Sequence, residues 1–229
     1  MQGQAKQLVI VGDGEFAEIA YEYFTYDSPH RVVAFSVERA YMQRSTLYDL
    51  PVVPFEELEA HYPPDRYVAF VAITSTKLNR VRARLYAAAK AKGFTLVSYV
   101  SSKAFVWHNV TIGENSFIFE QNVLQHHVTI GNDVVLWSGN HVGHRSTIGD
   151  HCFLASHVVI SGYCVIGESC FLGVNSCLGN NLTVGRDCVI GAGAVIVRDA
   201  APEQVYVGNP AKPLSKSSYD TFNVQEHER

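Results

Sequence analysis

Charge is scarce in this 229-residue chain, at 17% of residues, and neither sign dominates: the formal net charge is −4 with ten histidines counted neutral. Without a basic excess there is no electrostatic footprint for nucleic acid, and none is expected as a partner. Long apolar runs are also lacking. The stretch 67–73 is among the longest, far short of the ~20 residues that a membrane-crossing helix needs. An even cysteine count is missing too. Five cysteines, with no signal-peptide layout ahead of Leu8-Val9-Ile10-Val11, argue against a disulfide framework and for a reducing, cytoplasmic location. With 47% apolar residues, disorder is excluded as well, and the length suits one or two domains. Five cysteines and ten histidines then stand out as chemically loaded, and whether they form a metal site is the first question.

The second half of the chain has a six-residue clock. Stepping by six from Val106 meets Ile112, Ile118, Leu124, Ile130, Leu136, Val142, Ile148, Leu154, Ile160, Ile166, Leu172, Leu178, Val184, Ile190 and Ile196, with no insertion. Four residues after each comes a small or medium residue, Ser116, Asn122, Val128, Cys152, Cys164, Cys170 and Cys188 among them, with Leu182 the exception. Neither a helix nor a simple strand has this period. A hexapeptide repeat marks a parallel β-helix, with the large aliphatic inside. Three hexads close a coil of 18 residues, so Cys152, Cys170 and Cys188 stack on consecutive coils as core fillers. The glycine that often follows the aliphatic, as at Gly113, Gly131 or Gly143, is expected to supply the tight corner.

The first hundred residues follow another plan. A strand at Gln7 to Val11 leads into Gly12-Asp13-Gly14-Glu15-Phe16-Ala17 and a helix over 18–26. Such a turn offers backbone N–H groups at a helix start to a phosphate or nucleotide edge, though a plain strand-to-helix turn looks the same. A second strand over 31–35 ends in Ser36-Val37-Glu38, and an acidic residue such as Glu38 is where a ribose hydroxyl is held. A buried strand over 67–73 ends in the polar turn Thr74-Ser75-Thr76-Lys77. A helix over 78–92 stopping at Gly93 and a last strand over 95–100 complete an alternating α/β pattern. The expected organisation is a Rossmann-like nucleotide-binding domain over 1–100, a β-helix over 101–200 and a polar, loosely ordered tail over 201–229.

These features resemble the hexapeptide-repeat sugar acyltransferases of the sialic-acid O-acetyltransferase type, a group that includes the N-acetyltransferases of amino-sugar nucleotides. The resemblance runs to Lys212. It is carried by the turn at Gly12, the turn at Thr74, the segment His141-Val142-Gly143-His144, the run Phe171-Leu172-Gly173-Val174-Asn175-Ser176, and Gly208-Asn209-Pro210-Ala211-Lys212. It implies a left-handed β-helix, a homotrimer with active sites at subunit interfaces, acetyl-CoA or another acyl-CoA as co-substrate, and no metal. The implied acceptor is a nucleotide-activated amino sugar for surface glycan or O-antigen, acylated on its amino group by direct attack on the thioester.

The resemblance also assigns roles. His144 becomes the general base, with a side-chain pKa range suited to taking the acceptor's proton. His108, His126 and His144 share one column at 18-residue spacing, and His141 and His126 are competing candidates. Acyl-CoA is expected along Gly173, Val174, Gly191 and Ala192, with Lys212 against a phosphate. The nucleotide sugar is expected at Gly12, Gly14, Glu15, Phe16, Ser36, Glu38, Thr74 and Ser75. The chain departs from the pattern in three places: Arg145 stands where relatives have an acid beside the base, Phe153 where they have a second histidine, and Ser36 and Glu38 where they have aspartates. O-acetylation of a sugar hydroxyl uses the same base. A γ-type carbonic anhydrase, with three zinc-bound histidines, and a non-catalytic β-helix scaffold are the readings of another class.

Overall fold

The computed structural model describes residues 5–229, which fall into two compact units. The first runs to Thr74 and resumes over Arg82–Tyr99. The second takes Ser75–Val81 and Val100–Arg229.

The first unit is built on β1 (Gln7–Val11), α1 (Glu15–Asp27), β2 (Arg31–Val37), β3 (Thr46–Leu47), β4 (Leu50–Pro54), α2 (Leu58–His61), β5 (Tyr67–Val71), α3 (Arg80–Ala91) and β6 (Thr95–Leu96). The sheet order is β3-β4-β2-β1-β5-β6, parallel except for the β3–β4 hairpin. Leu8 to Val11 are all buried, as expected of a parallel strand covered on both faces. Strand β1 lies between β2 and β5, so the chain reverses its winding there. The loops after β1 and β5 flank that switch point, where open α/β sheets bind ligands. Helix α1 starts three residues before the expected position, because Gly14 is an extended N-cap (φ −85°, ψ −174°).

In the second unit the six-residue clock becomes a left-handed parallel β-helix. Two-residue strands stack in register every 18 residues on three faces: Phe117, Val135, Phe153, Phe171 and Val189 on one, Thr111, Thr129, Thr147, Val165 and Thr183 on another, and Phe105, Val123, His141, Val159, Cys177 and Val195 on the third. The aliphatic from Ile118 to Ile196 is at most 2% exposed in every coil. The small inward position holds Ser, Asn or Cys in several coils and Val or Ala in others. Ser116, Ser146, Cys152, Cys164 and Cys170 each donate to the carbonyl 15 residues on, at 2.8–3.2 Å. Burial pushes the Cys170 thiol well up, and Cys152, Cys170 and Cys188 are all fully buried, as core fillers are.

The corners correct one expectation. Gly113, Gly131 and Gly143 are not the left-handed residues. That conformation falls two positions later, at His127, Asp133, Arg145, His151, His157, Tyr163, Asn175 and their equivalents, with φ between 54° and 62°. Polar side chains that can tolerate this region occupy most of these positions. The glycines are required by stacking instead. A Cβ at Gly113, Gly143, Gly149, Gly167, Gly173 or Gly185 would come within 2.5–2.8 Å of the next coil.

The tail is also better ordered than its polarity suggests. Gln204–Val207 adds to the sheet beside Val189, and Lys212–Ser217 pairs back on it antiparallel. Helix α4 (Ser218–Phe222) is capped by the Ser217 hydroxyl. Tyr219 and Val224 bury against Leu78, Val189 and Val205. Asp187, itself buried, accepts from the Arg80 guanidinium and from the Tyr219 hydroxyl.

Candidate active site

His144 lies two residues past the inward Val142, on the turn leading away from the third face. Its ring is half-buried and rests on Gly162 of the next coil, where a Cβ would meet its Cε1 at 2.6 Å and Nε2 at 2.7 Å. The His126 imidazole stacks on the other side, with centroids 5.4 Å apart and planes 14° off parallel. Tyr163 meets it edge-on at 5.2 Å. On the coil below, the side-chain carbonyl of Gln125 accepts the backbone N–H of His144 at 2.8 Å and stands 3.1 Å from its Nδ1. Desolvation first, then the neighbouring His144, His127 and Arg145, hold the exposed His126 below its ordinary pKa.

The remaining histidines separate by position. His127, His151 and His157 are corner residues in the left-handed region, and His157 covers Gly139. His151 donates from Nδ1 to the Asp133 carboxylate at 2.8 Å. His141 stands on the strand face between Val123 and Val159, and His108 packs beside Trp107. Among the described residues no group of three His, Cys, Asp or Glu side chains is placed to hold a metal ion.

Val174 and Ala192 are exposed on successive coils of the β-helix, in position to offer backbone groups to an extended ligand. Gly173 and Gly191 beside them answer a different need. A Cβ at Gly173 would strike the amide of Ala192 at 2.7 Å, and one at Gly191 would strike Val207 at 2.9 Å. Lys212 lines a cleft of about 380 Å³ together with Ile196, Arg198, Tyr206 and Pro210. Asp199 shares that lining, so the cleft carries two cations and one carboxylate, and Arg198 had no sequence signal of its own.

In the first unit, Gly12 is required twice over. It has φ +126°, and a Cβ would sit 2.8 Å from the carbonyl of Ala72. Gly14 has open space where a Cβ would be, and no side chain caps the N-terminus of α1, which leaves a positive helix end for an anion. Glu15 is exposed at that end, but Phe16 turns inward against Phe70. Arg44, from the loop after β2, lies 3.7 Å from Asp13 and 3.8 Å from Glu18, bringing a cation to the glycine turn that no motif announced. Ser36 is fully buried. Its carbonyl accepts the Gly12 N–H at 2.8 Å, and its hydroxyl has no partner among the described residues. Both carboxylate oxygens of Glu38 accept from Arg84 at 2.8 Å, which leaves lone pairs for further donors. Thr74 is exposed at the end of the β5 loop, while Ser75 opens the segment that groups with the second unit.

The family model for bacterial transferase hexapeptide repeats matches residues 109–144, 127–162 and 163–198. Comparison with the curated proteins finds no match. Among solved structures, the chain is similar to the GDP-perosamine N-acetyltransferase of Caulobacter crescentus, solved with CoA and GDP-perosamine in a form with one histidine replaced by alanine. Identity is 28% and the TM-score 0.84, over 92% of this chain and 97% of that one. The acetyltransferase domain of PglB from Neisseria gonorrhoeae is 26% identical with a TM-score of 0.80, over 91% of this chain and all of that one. The latter domain has also been solved with acetyl coenzyme A. With the α/β unit and the uninterrupted hexads, the chain is similar almost end to end to these solved amino-sugar N-acetyltransferases, and its residues 109–198 carry the bacterial transferase hexapeptide repeat on a left-handed β-helix.

Proposed function

We propose that this protein is an acyl-CoA-dependent N-acetyltransferase whose acceptor is the amino group of a nucleotide-linked amino sugar, with His144 as general base. The observation that carries the reading is the setting of His144: an imidazole on the outer edge of the prism, seated on a glycine, with one ring nitrogen committed to Gln125. Agreement along almost the whole chain with an enzyme bound to CoA and GDP-perosamine supports the substrate class. That enzyme was also studied with a histidine replaced by asparagine.

In the reaction, the acceptor amine adds to the thioester carbonyl while Nε2 of His144 takes its proton. Collapse of the tetrahedral intermediate breaks the C–S bond, and the imidazolium returns the proton to the departing CoA thiolate. Backbone N–H groups stabilise the oxyanion. The direct attack needs no acyl-enzyme, and Cys152, Cys164, Cys170 and Cys188 are buried away from it. Acetyl-CoA lies along Val174 and Ala192, with a phosphate at Lys212 and Arg198. The sugar nucleotide is held at the glycine turn Gly12 to Phe16 through backbone groups and Arg44, with its ribose at Ser36 and Glu38 and further contacts at Thr74 and Ser75. The apolar third face of the prism, with Phe105, Trp107 and Val159 each at least 42% exposed, is the surface by which three copies join, with active sites at the subunit interfaces. No helix among the described residues is long and apolar enough to cross a membrane. Both co-substrates are products of the cytoplasm, where the enzyme acts in surface-glycan biosynthesis.

The test is CoA-thiol release from acetyl-CoA in the presence of UDP-, dTDP- and GDP-linked amino sugars, beside the same nucleotides carrying hydroxyl-only sugars. Release confined to an amino sugar is expected. Release with the hydroxyl sugars would establish O-acetylation instead, and release with none would overturn the assignment.

A further inference from the structure

A histidine that accepts a proton through Nε2 has to carry its own proton on Nδ1, and an acidic neighbour commonly enforces this. Here the residue after His144 is Arg145, which cannot. Among the described residues, no carboxylate bonds to either ring nitrogen of His144. The groups that face it are His126 in the stack below, Tyr163 edge-on from the coil above, and Gln125. His127 and Arg145 are the nearby cationic or titratable groups acting on His126.

The amide of Gln125 has one unambiguous orientation. The backbone N–H of His144 lies 2.8 Å from it and is a donor only, so the atom that meets it is the oxygen, whichever way an isolated amide would be drawn. The same oxygen is 3.1 Å from Nδ1 of His144. An oxygen without hydrogen cannot donate, so Nδ1 carries the hydrogen, and the lone pair is left on Nε2. Backbone bonds keep Gln125 in place independently of its side chain: its N–H donates to the Val142 carbonyl at 3.1 Å.

We propose that Gln125 is the positioning residue of this active site: its side-chain carbonyl fixes His144 in the Nδ1–H tautomer and leaves Nε2 as the proton acceptor. This rests on the reading of His144 as the base. A neutral amide sets the tautomer as a carboxylate does, but adds no charge to stabilise the imidazolium.

The experiment combines ¹⁵N NMR of the histidine-labelled full-length protein with kinetics of Gln125→Glu and Gln125→Met. In the wild type, the neutral His144 ring is expected to report a protonated Nδ1 and a bare Nε2. Gln125→Met should lose that preference and about 10²-fold in kcat/KM through misplacement of the base, with the KM for acetyl-CoA unchanged. Gln125→Glu should keep the tautomer and restore activity at its own optimum. The acid limb of its pH–rate profile should move up by about one unit, because an adjacent negative charge favours the imidazolium. A wild-type ring protonated on Nε2, or an acid limb that stays in place in Gln125→Glu, overturns the proposal. Full activity in His144→Ala would instead remove the base assignment, while the NMR result would still report the tautomer.

Discussion

Gly162→Ala tests the site at one atom. Gly162 is buried, its φ lies outside the left-handed region, and its Cβ would point at the ring of His144, 2.6 Å from Cε1 and 3.1 Å from Nδ1. Ordinary contact begins near 3.4 Å, so the ring must withdraw from 2.6 to at least 3.4 Å, a displacement of about 0.8 Å, which on the experience of misplaced catalytic groups costs roughly 10²-fold in rate. That loss corresponds to about 2.7 kcal/mol of transition-state stabilisation. The displaced group is the end of a side chain rather than backbone, so folding stability should change by less than about 1 kcal/mol. Steady-state kinetics with acetyl-CoA and the accepted amino sugar, beside a thermal melt, separate the two effects. A variant with the wild-type kcat/KM would refute the inference that this ring, in this position, does the chemistry. A variant that fails to fold would refute the view that only the side chain gives way.

Other outcomes follow from the same structure. Gly167→Ala places a Cβ 2.5 Å from the Arg186 amide of the next coil and should destabilise by about 1–3 kcal/mol. Gly179→Ala, with 3.6 Å to its nearest neighbour, should be close to neutral; denaturant titration of both variants checks the pair. Burial, and after it the hydrogen bond to Asp187, pushes the Tyr219 phenol up from 10.0 to about 12. The folded state therefore keeps a proton that the unfolded chain has lost. Stability should be fully present below pH 10, fall as the pH rises towards 12, and level off beyond it; Tyr219→Phe should flatten that slope, and an unchanged slope would contradict the assignment. Lys212→Ala should raise the KM for acetyl-CoA about tenfold with kcat nearly unchanged, as expected for loss of one charge-assisted bond. An unchanged KM would remove Lys212 from the CoA site.

The prism was legible because its constraint recurs in each coil: every large inward position from Ile118 to Ile196 is a branched aliphatic, and one charged residue in the series would have broken the pattern. The stacked cysteines followed from the same register. The corners were misassigned because glycine is the usual sign of a left-handed residue, whereas here Arg145, His151 and Tyr163 occupy that region. The glycines instead avoid collisions between residues about 18 apart, which appear only once the coils are stacked. The β3–β4 hairpin was missed for a related reason. Its turn residues Tyr48 and Asp49 have φ of 51° and 59° without the Asn-Gly or Asp-Gly pair that ordinarily announces such a turn. His144 was picked out through family resemblance. Gln125 was not, since it lies 19 residues earlier and matches no motif; only the coil-on-coil geometry brings it to Nδ1. Arg44 reaches the glycine turn from a loop whose composition carries no signal.

The central claim is that His144 removes the proton from an attacking amine, and the most direct measurement is the turnover of His144→Ala against wild type with acetyl-CoA and the accepted nucleotide-linked amino sugar. A fall in kcat of roughly 10²–10⁴-fold is predicted, the range that a positioned general base supplies, with the variant still folded and still binding CoA. A variant that turns over at the wild-type rate would contradict the account.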